Sequence, residues 1–439
     1  MNGTYPLIPA VLCAFLMVSC ASMSHYEGID RAVSAGAYEE ALASIKASKE
    51  NAYPPKDKIL YYLDEGMIAH YAGDHDGSSK ALGEAERAIE LAVTKSVSLE
   101  ASTYLVNDTM QEYPGEDYED IYLNVFNALN YWKKGSTEGA LVEVRRIDNK
   151  IKFLSTRYGT AITNSQKSVM EKSSEIPYDP EAATVKFSNS ALGQYLGMLF
   201  YRSEDKLDDA RINRDQVKLA FANQPHMYSF PLPSSLQDEL NIPAGKARLN
   251  VLCFTGPGPV KVQETIRLRV TNSNWMKIAL PVFQTRPSLV DHVEVAIDGG
   301  PSIRLEVLED MSAVAAETFK QRAALIYFKT VMRSLAKTTS SIALDKASEE
   351  AESSDAALMM SVLSIGTQIY AEASEQADLR MSRYFPAKAL VGGVTLDPGI
   401  YSYTIMYYGA SGSVIHQERF ENVSIRAGAL NLSEGLCIR

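Results

Sequence analysis

The side chain with the most specific chemistry in this sequence is a thiol that follows an apolar leader. Residues 5–19 form an apolar run of signal-peptide size, shorter than the roughly 20 residues that span a bilayer. The run ends in the residues MVSCA at 17–21, where small residues flank a cysteine that can accept diacylglycerol. This pattern predicts a lipoprotein-type signal peptide over 1–19 and attachment of lipid, including palmitate, to Cys20.

Two other fates of the leader stay open, because Met17 stands where leucine is usual and no Lys or Arg precedes the apolar core. They are cleavage by the ordinary signal peptidase near Cys20 and retention as an uncleaved anchor. Ala21 follows the cysteine, which by the enterobacterial sorting rule predicts the outer membrane, facing the periplasm. The apolar stretch Ala356–Tyr370 is interrupted by polar residues, so we predict a buried helix there.

Three further cysteines follow different expectations. Cys13 lies in the leader and is removed with it. Cys253 and Cys437 remain in the mature body, an even number in an oxidising compartment. A Cys253–Cys437 disulfide and a pair of buried free thiols are equal alternatives at this stage, because spacing alone does not bring two sulfurs together.

A search for catalytic, cofactor or metal-binding residues assigns none. The densest group of ligand-type side chains comprises His70, Asp74, His75 and Asp76, and its spacing favours a polar turn over a metal site. The sequence has no nucleophile elbow, phosphate loop or dinucleotide fingerprint, and the proline-rich residues 256–259 predict a rigid turn. We therefore predict a protein that is not an enzyme.

Two charged groups have both structural and functional interpretations. Arg145, Arg146 and Asp148 could form salt bridges between repeats or line a groove, and we favour the salt bridges. Asp378 and Arg380 stand where helix gives way to strand, and we favour a buried ion pair over a pair that binds a ligand.

Length and charge narrow the class of protein. The chain has 439 residues, which predicts two or three domains. Its net charge of −11 and the absence of any block of basic residues argue against nucleic acid as a partner.

The first half contains a recurrent phrase that predicts paired helices. It reads AGAYEEAL at 35–42, AGDHDGS at 72–78, KGSTEGAL at 134–141 and, without glycine, SEDKLDDA at 203–210. Glycine can end one helix in a left-handed conformation, and alanine lets the next helix pack closely. The spacings lie near one or two multiples of about 34 residues, so we predict a tetratricopeptide-like α-solenoid over 20–225, with an irregular helical bundle as the alternative.

The second half has the period of strands. After a proline-rich linker over 226–245, apolar and polar residues alternate in a series of short segments, and Gly299-Gly300 predicts a hairpin turn. We predict a β-sandwich-like domain over 246–439, interrupted by a helical hairpin at about 311–380, and hence an α+β chain. The predicted strands are Ala247–Phe254, Val260–Val270, Met276–Phe283, Val293–Asp298, Ser302–Glu309, Ala389–Leu396, Tyr401–Tyr408, Val414–Ile425 and Ala429–Leu432, and the predicted helices of the insertion are Met311–Thr338 and Ser341–Asp378.

Three groups of phrases carry a family resemblance. They are YYLDEGM at 61–67 with HYAGD at 70–74; YPGEDYE at 113–119 with NALNY at 127–131 and GALVEVRR at 139–146; and EQADLR at 375–380 with LDPG at 396–399. Together they resemble an uncharacterised family of tetratricopeptide-repeat-containing bacterial lipoproteins. The resemblance implies the two-part architecture and an envelope location, and it transfers no functional residue.

The function predicted from these features is that of a membrane-anchored scaffold or adaptor. The lipid would hold it in the envelope, and the helical half would bind a periplasmic protein or peptide. A glycan- or lipid-binding protein, a structural subunit of an envelope machine and an unrecognised hydrolase are the alternatives, in that order.

Overall fold

The computed structural model describes residues 18–98, 108–157, 185–269, 275–320, 322–326, 329–330 and 376–439. This part of the chain is mixed α+β, as predicted, with helices first and strands afterwards. Within the described ranges no helix combines the length and hydropathy of a membrane span. Most of the predicted leader, the stretch Ala356–Tyr370 and most of the predicted helix Ser341–Asp378 lie outside the described residues.

The helices of the first half are consecutive antiparallel pairs, and each predicted phrase lies at the turn within a pair. Neighbouring pairs contact one another in chain order. The pairs are α1 Val18–Ala35 with α2 Tyr38–Ala52, α3 Lys58–Tyr71 with α4 His75–Ser98, α5 Asp117–Lys133 with α6 Thr137–Arg157, and α7 Ala191–Ser203 with α8 Leu207–Asn223.

The same hydrogen-bond pattern closes the first helix of each pair. Gly36, Gly73 and Gly135 have φ values of 78°, 77° and 79°, and Asp205 takes the equivalent left-handed position with φ 56°. In the third pair the N–H of Gly135 donates to the carbonyl of Trp132 at 2.9 Å, and the N–H of Ser136 donates to the carbonyl of Tyr131 at 2.8 Å. This pair of hydrogen bonds satisfies backbone carbonyls that would otherwise have no partner at the end of the helix. The turn predicted for the phrase without glycine is therefore confirmed as well.

The left-handed turns give a prediction with an internal control. Gly135→Ala should lower the free energy of unfolding by about 1 kcal/mol, because alanine resists positive φ. No atom lies within 4 Å of the added methyl group, so the cost belongs to the backbone alone. Gly83→Ala, inside α4 and also free of clashes, should instead stabilise by about 0.5 to 1 kcal/mol. Urea unfolding of both variants checks this, and two changes of equal sign would contradict it.

The strands form two four-stranded sheets and a two-stranded ribbon. The first sheet has the order β10-β1-β7-β6, the second β5-β4-β8-β9, and the ribbon pairs β2 with β3. β1 runs parallel to β10 and antiparallel to β7. The strands are β1 Ala247–Pro257, β2 Val260–Arg269, β3 Trp275–Gln284, β4 His292–Ile297, β5 Ser302–Arg304, β6 Glu306–Asp310, β7 Pro386–Leu396, β8 Gly399–Tyr408, β9 Val414–Ile425 and β10 Asn431–Cys437.

The first sheet is buried on both faces because it lies between the helices and the second sheet. Leu252 and Phe254 of β1 pack in the same apolar cluster as the helices. Val251 and Cys253, which point to the opposite face, pack with residues of the second sheet such as Ile405. The helices, the first sheet and the second sheet therefore form successive layers.

Three details differ from the pattern expected of the sequence. The predicted strand Ser302–Glu309 is divided, since β5 pairs in the second sheet and β6 in the first. Residues 376–380, assigned to the helical insertion, are not helical, because polar groups there bond to other parts of the chain: the N–H of Ala377 donates to Gln263 at 3.0 Å. Of residues 226–245, predicted as a linker, most are exposed, but Tyr228, Leu236 and Glu239 are buried.

Candidate functional site

The first helices of the pairs face the β-rich half, and an extended stretch of chain lies against them. We call residues 376–385, which lead into β7, the junction segment. The Tyr71 hydroxyl of α3 donates to the carbonyl of Tyr384 at 2.6 Å. Asp30 of α1 pairs with Arg383 at 2.7 Å. The segment is thus bound as a peptide would be, through its backbone and a few side chains.

Ser382 is the most deeply held residue of the junction segment. It is 1% exposed. Its N–H donates to the carboxylate of Glu119 at 2.6 Å, and its hydroxyl donates to the carboxylate of Asp64 at 2.7 Å. One serine therefore joins α3 and α5 to the β-rich half.

The two carboxyl groups around Ser382 have strongly displaced pKa values. Burial raises the pKa of Asp64 to about 7, although the hydroxyls of Ser382 and Tyr53 donate to it. Burial, together with the nearby Glu116 carboxylate, raises the pKa of Glu119 to about 8. Such values suit acid–base chemistry near neutral pH. Both groups are buried and engaged by neighbours, however, so their geometry supports a structural role.

Arg380 is the charged centre of the junction. Its guanidinium is bidentate to Asp378, at 2.8 and 2.7 Å, and reaches Asp57 at 2.6 Å. It also donates to the carbonyls of Gln111 and Asp108, at 3.0 and 2.9 Å. All five N–H groups of the guanidinium are therefore used, and the predicted ion pair of Asp378 and Arg380 is confirmed.

A second buried carboxylate joins α5 and α7 to the first sheet. Glu309 of β6 accepts from the hydroxyls of Tyr122 at 2.5 Å, Ser190 at 2.8 Å and Tyr228 at 2.9 Å, and from the N–H of Leu192 at 3.0 Å. Burial raises its pKa. Four donors around one carboxylate fix the position of β6 relative to the helices.

Polar side chains of β1 are buried by a third network. Arg248 and Asn250 are 2% and 0% exposed. Glu239 accepts from both of them, at 3.1 and 2.6 Å, and from Arg202 of α7 at 2.8 Å. The alternation that predicts this strand is therefore correct, but its polar face meets α7 and not solvent.

The histidine cluster of the sequence serves as a helix–sheet contact. Both ring nitrogens of His70 face oxygens, at 2.7 Å from Asn130 and 2.7 Å from Glu434 of β10. Asp74 accepts from the N–H of Gly77 at 2.9 Å in the turn, and Asp76 lies on the surface near Lys134. Within the described ranges no group of three ligand-type side chains could hold a metal ion.

The basic pair after the third turn links neighbouring helix pairs. Arg146 of α6 reaches Glu86 of α4 at 2.6 Å. Asp148 accepts from Gln194 of α7 at 2.8 Å. Arg145 is exposed. The favoured interpretation, salt bridges across repeats, is confirmed for Arg146.

The cysteines of the mature body are buried and unpaired. Cys253 and Cys437 lie on neighbouring strands and on the same face, but they are displaced by two positions, since Cys253 is opposite Gly435 and Thr255 is opposite Cys437. Of the two alternatives, a disulfide and a pair of buried free thiols, the structure contains the free thiols. Cys20 lies in the first turn of α1, and its side chain is outside the described residues.

Described residues line two surface cavities that border the first sheet, among others. One, of about 190 Å³, lies at the ends of β1, β6 and β7; the other, of about 330 Å³, lies beside the turn from α7 to α8. No aromatic side chain lines either of these two, and neither contains Asp64, Glu119 or Glu309.

Comparison with known proteins adds no relative. No family model, curated protein or solved structure matches the chain.

Proposed function

We propose that this chain is a lipid-anchored scaffold of the bacterial envelope that binds a periplasmic protein or peptide, and that it belongs with the tetratricopeptide-repeat lipoproteins it resembles. Support comes from the leader and cysteine at 17–21, from the acidic body and from the repeated helix turns. The proposal assigns the lipid to Cys20 and the protein to the outer membrane, facing the periplasm.

For the fold, we propose a tetratricopeptide-like solenoid followed by a β-sandwich-like unit with a helical insertion. The four turns with one shared hydrogen-bond pattern, and contacts between successive pairs, support the first part. The apolar cluster shared by the two four-stranded sheets supports the second.

The observation that carries the scaffold proposal is the way in which the first helices hold the junction segment. They bind an extended peptide through a backbone carbonyl that accepts, a backbone N–H that donates, and deeply placed side chains, Ser382 above all. Arrays of helix pairs use such faces for protein recognition. In this chain the face binds the β-rich half and so joins both halves into one body.

A partner would then approach a part of the helical surface that the junction segment does not occupy. The outer face of α8 is the best described candidate, because Ile212 and Leu219, seven residues apart, are 59% and 44% exposed. The terminal helix of a repeat array is usually polar on its outer face, so these exposed apolar side chains favour a contact there.

Photo-crosslinking in cells tests the scaffold proposal. A photoreactive phenylalanine at Ile212 or Leu219 should capture a specific envelope protein, and the same residue at Arg211, on another face of α8, serves as the control. The capture should weaken in a Cys20→Ala background, in which the anchor is lost. If no position yields a specific protein in cells with the anchor intact, the scaffold proposal fails.

The lipid anchor has a separate test. Radiolabelled palmitate should enter the wild-type chain and should not enter the Cys20→Ala variant, because the thiol is the acceptor. Fractionation should show the wild type in membranes and the variant released from them. Equal labelling of both chains would remove Cys20 as the attachment site.

A further inference from the structure

The cavity of about 190 Å³ at the edge of the two sheets has a buried floor and an exposed rim. Thr255, Ser312, Ala387 and Leu390 form the floor. The rim consists of exposed polar side chains: Thr285, Ser288, Asp291 and Lys388. Strands β1, β6 and β7 supply half of the twelve lining residues, and five of the others belong to the loop between β3 and β4.

Two hydroxyl groups of the floor have no hydrogen-bond partner among the described residues. Thr255 and Ser312 are 4% and 7% exposed and line the cavity, and no described residue makes a hydrogen bond to the side-chain hydroxyl of either. Neither oxygen is among the fully enclosed polar atoms that lack a partner, so both are open to the cavity and to solvent. Both hydroxyls line the cavity, where they can bond to a bound molecule.

Lys388 stands between these hydroxyls and a carboxylate. In strand register it is opposite Thr255 of β1 on one side and Asp310 of β6 on the other. Its ammonium group forms no ion pair with any residue that the structure describes, whereas Asp310 uses one oxygen to accept from the N–H of Ala313 at 2.9 Å. The lysine is therefore available to an anionic group.

The charges of the lining balance. Arg286 and Lys388 supply two cations, and Asp291 and Asp310 supply two carboxylates. Arg286 is held in place by donating to the carbonyls of Gly258 and Arg383, at 2.6 and 2.5 Å. A dianion such as phosphate would meet both carboxylates at close range, so the lining disfavours it. A molecule with one negative and one positive group meets a partner for each.

We infer that this cavity binds a small zwitterion of the amino-acid class. Its carboxylate lies between Lys388 and the hydroxyls of Thr255 and Ser312, and its ammonium group faces Asp310 and Asp291. The side chain packs on the apolar wall formed by Val290, Val307 and Leu390. A cavity of about 190 Å³ admits small members of this class, such as glycine, alanine and serine.

Isothermal titration of the detergent-purified full chain tests the inference, with glycine, alanine and serine as probes and acetate, phosphate and glucose as comparators. At least one amino acid should bind, and the comparators should bind at least tenfold more weakly. Lys388→Ala should weaken amino-acid binding by about tenfold or more, since it removes a charged hydrogen bond. Thr255→Val, which keeps the side-chain shape, should weaken it by a smaller factor.

Lys246→Ala is the matched control, because this exposed lysine pairs with Asp397 outside the cavity. It should leave the affinity unchanged. The inference fails if none of the three amino acids binds, if acetate or phosphate binds as tightly, or if Lys388→Ala retains wild-type affinity while remaining folded by circular dichroism. None of these results bears on the lipid anchor or on protein capture, which have their own tests.

Discussion

Arg380→Ala should lower the free energy of unfolding by about 3–5 kcal/mol, the range typical of breaking a buried ion pair from one side. The guanidinium uses all its donors within the junction, and the side chains of Asp378 and Asp57 are only 9% and 13% exposed. Removing Arg380 leaves both carboxylates poorly solvated and without their cation. Urea unfolding monitored by circular dichroism measures the loss.

Arg419→Ala provides a matched control on the surface. Arg419 is also bidentate to a carboxylate, that of Asp298, but both side chains are largely exposed. Water and salt replace such a pair at little cost, so this variant should be nearly as stable as the wild type. Arg380→Lys should fall between the two, because an ammonium group cannot reproduce a planar fork of five donors. If Arg380→Ala lowers the free energy of unfolding no more than Arg419→Ala does, the ion pairs of Arg380 do not stabilise the folded chain as expected.

The elements of this fold were predictable where local sequence determines them. The turn phrases identify the left-handed glycines at 36, 73 and 135 and place the fourth turn, because a helix end needs positive φ within one or two residues. They do not identify Asp205 as the left-handed residue of that fourth turn. Alternation of apolar and polar residues similarly identifies most strands. The ion pair of Asp378 and Arg380 was predictable for the same reason, since the two residues are close in sequence.

The partners across the junction were not predictable in this way. Arg380 meets Asp57 across 323 positions of sequence, and His70 meets Glu434 across 364. No periodicity relates residues so far apart, and only the packing of helices on the first sheet brings them together. One signal was present: Asp64 stands four residues after Leu60 and four before Ile68, at the spacing of a buried helix face. An acid on such a face indicates a buried polar contact, although it does not identify the partner.

The alternation of apolar and polar residues in a strand does not determine what its polar face contacts. In β1 the polar positions Arg248 and Asn250 meet Glu239 and α7, so the period of two is preserved while both faces are buried. A strand between two layers is usually apolar on both faces. Here an ionic network replaces the apolar residues on one face, which makes the contact between helices and sheet specific in its geometry.

These buried charges predict that stability depends strongly on pH. The pKa of Asp64, about 7, and that of Glu119, about 8, are raised by burial above their ordinary values of 3.8 and 4.5. The folded chain therefore holds protons that the unfolded chain releases between about pH 4 and pH 8. By linkage, the free energy of unfolding falls as pH rises through this window. Glu418 in the second sheet, with a pKa raised by burial to about 7, acts in the same direction.

Glu434 produces the opposite dependence at low pH. Burial opposes its ionisation, but the adjacent His70 lowers its pKa to about 2. The stability that it contributes is present above the ordinary pKa of a glutamate and is lost as pH falls towards 2. The two effects together place the maximum of stability near pH 4, where the two windows meet.

Asp64→Asn isolates the part of the neutral-pH effect that belongs to Asp64. Asparagine keeps the size of the side chain and cannot ionise, so the variant should gain stability relative to the wild type as pH rises from 4 to 8. A displacement of about 3 pKa units corresponds to a relative gain of roughly 4 kcal/mol over that range. Urea unfolding of both chains at pH 4, 5, 6, 7 and 8 measures the difference. Asp298→Asn, on the exposed surface, should leave the profile over the same range unchanged. If Asp64→Asn runs parallel to the wild type, Asp64 is ionised in the folded chain and its hydrogen bonds to Ser382 and Tyr53 outweigh the cost of burial.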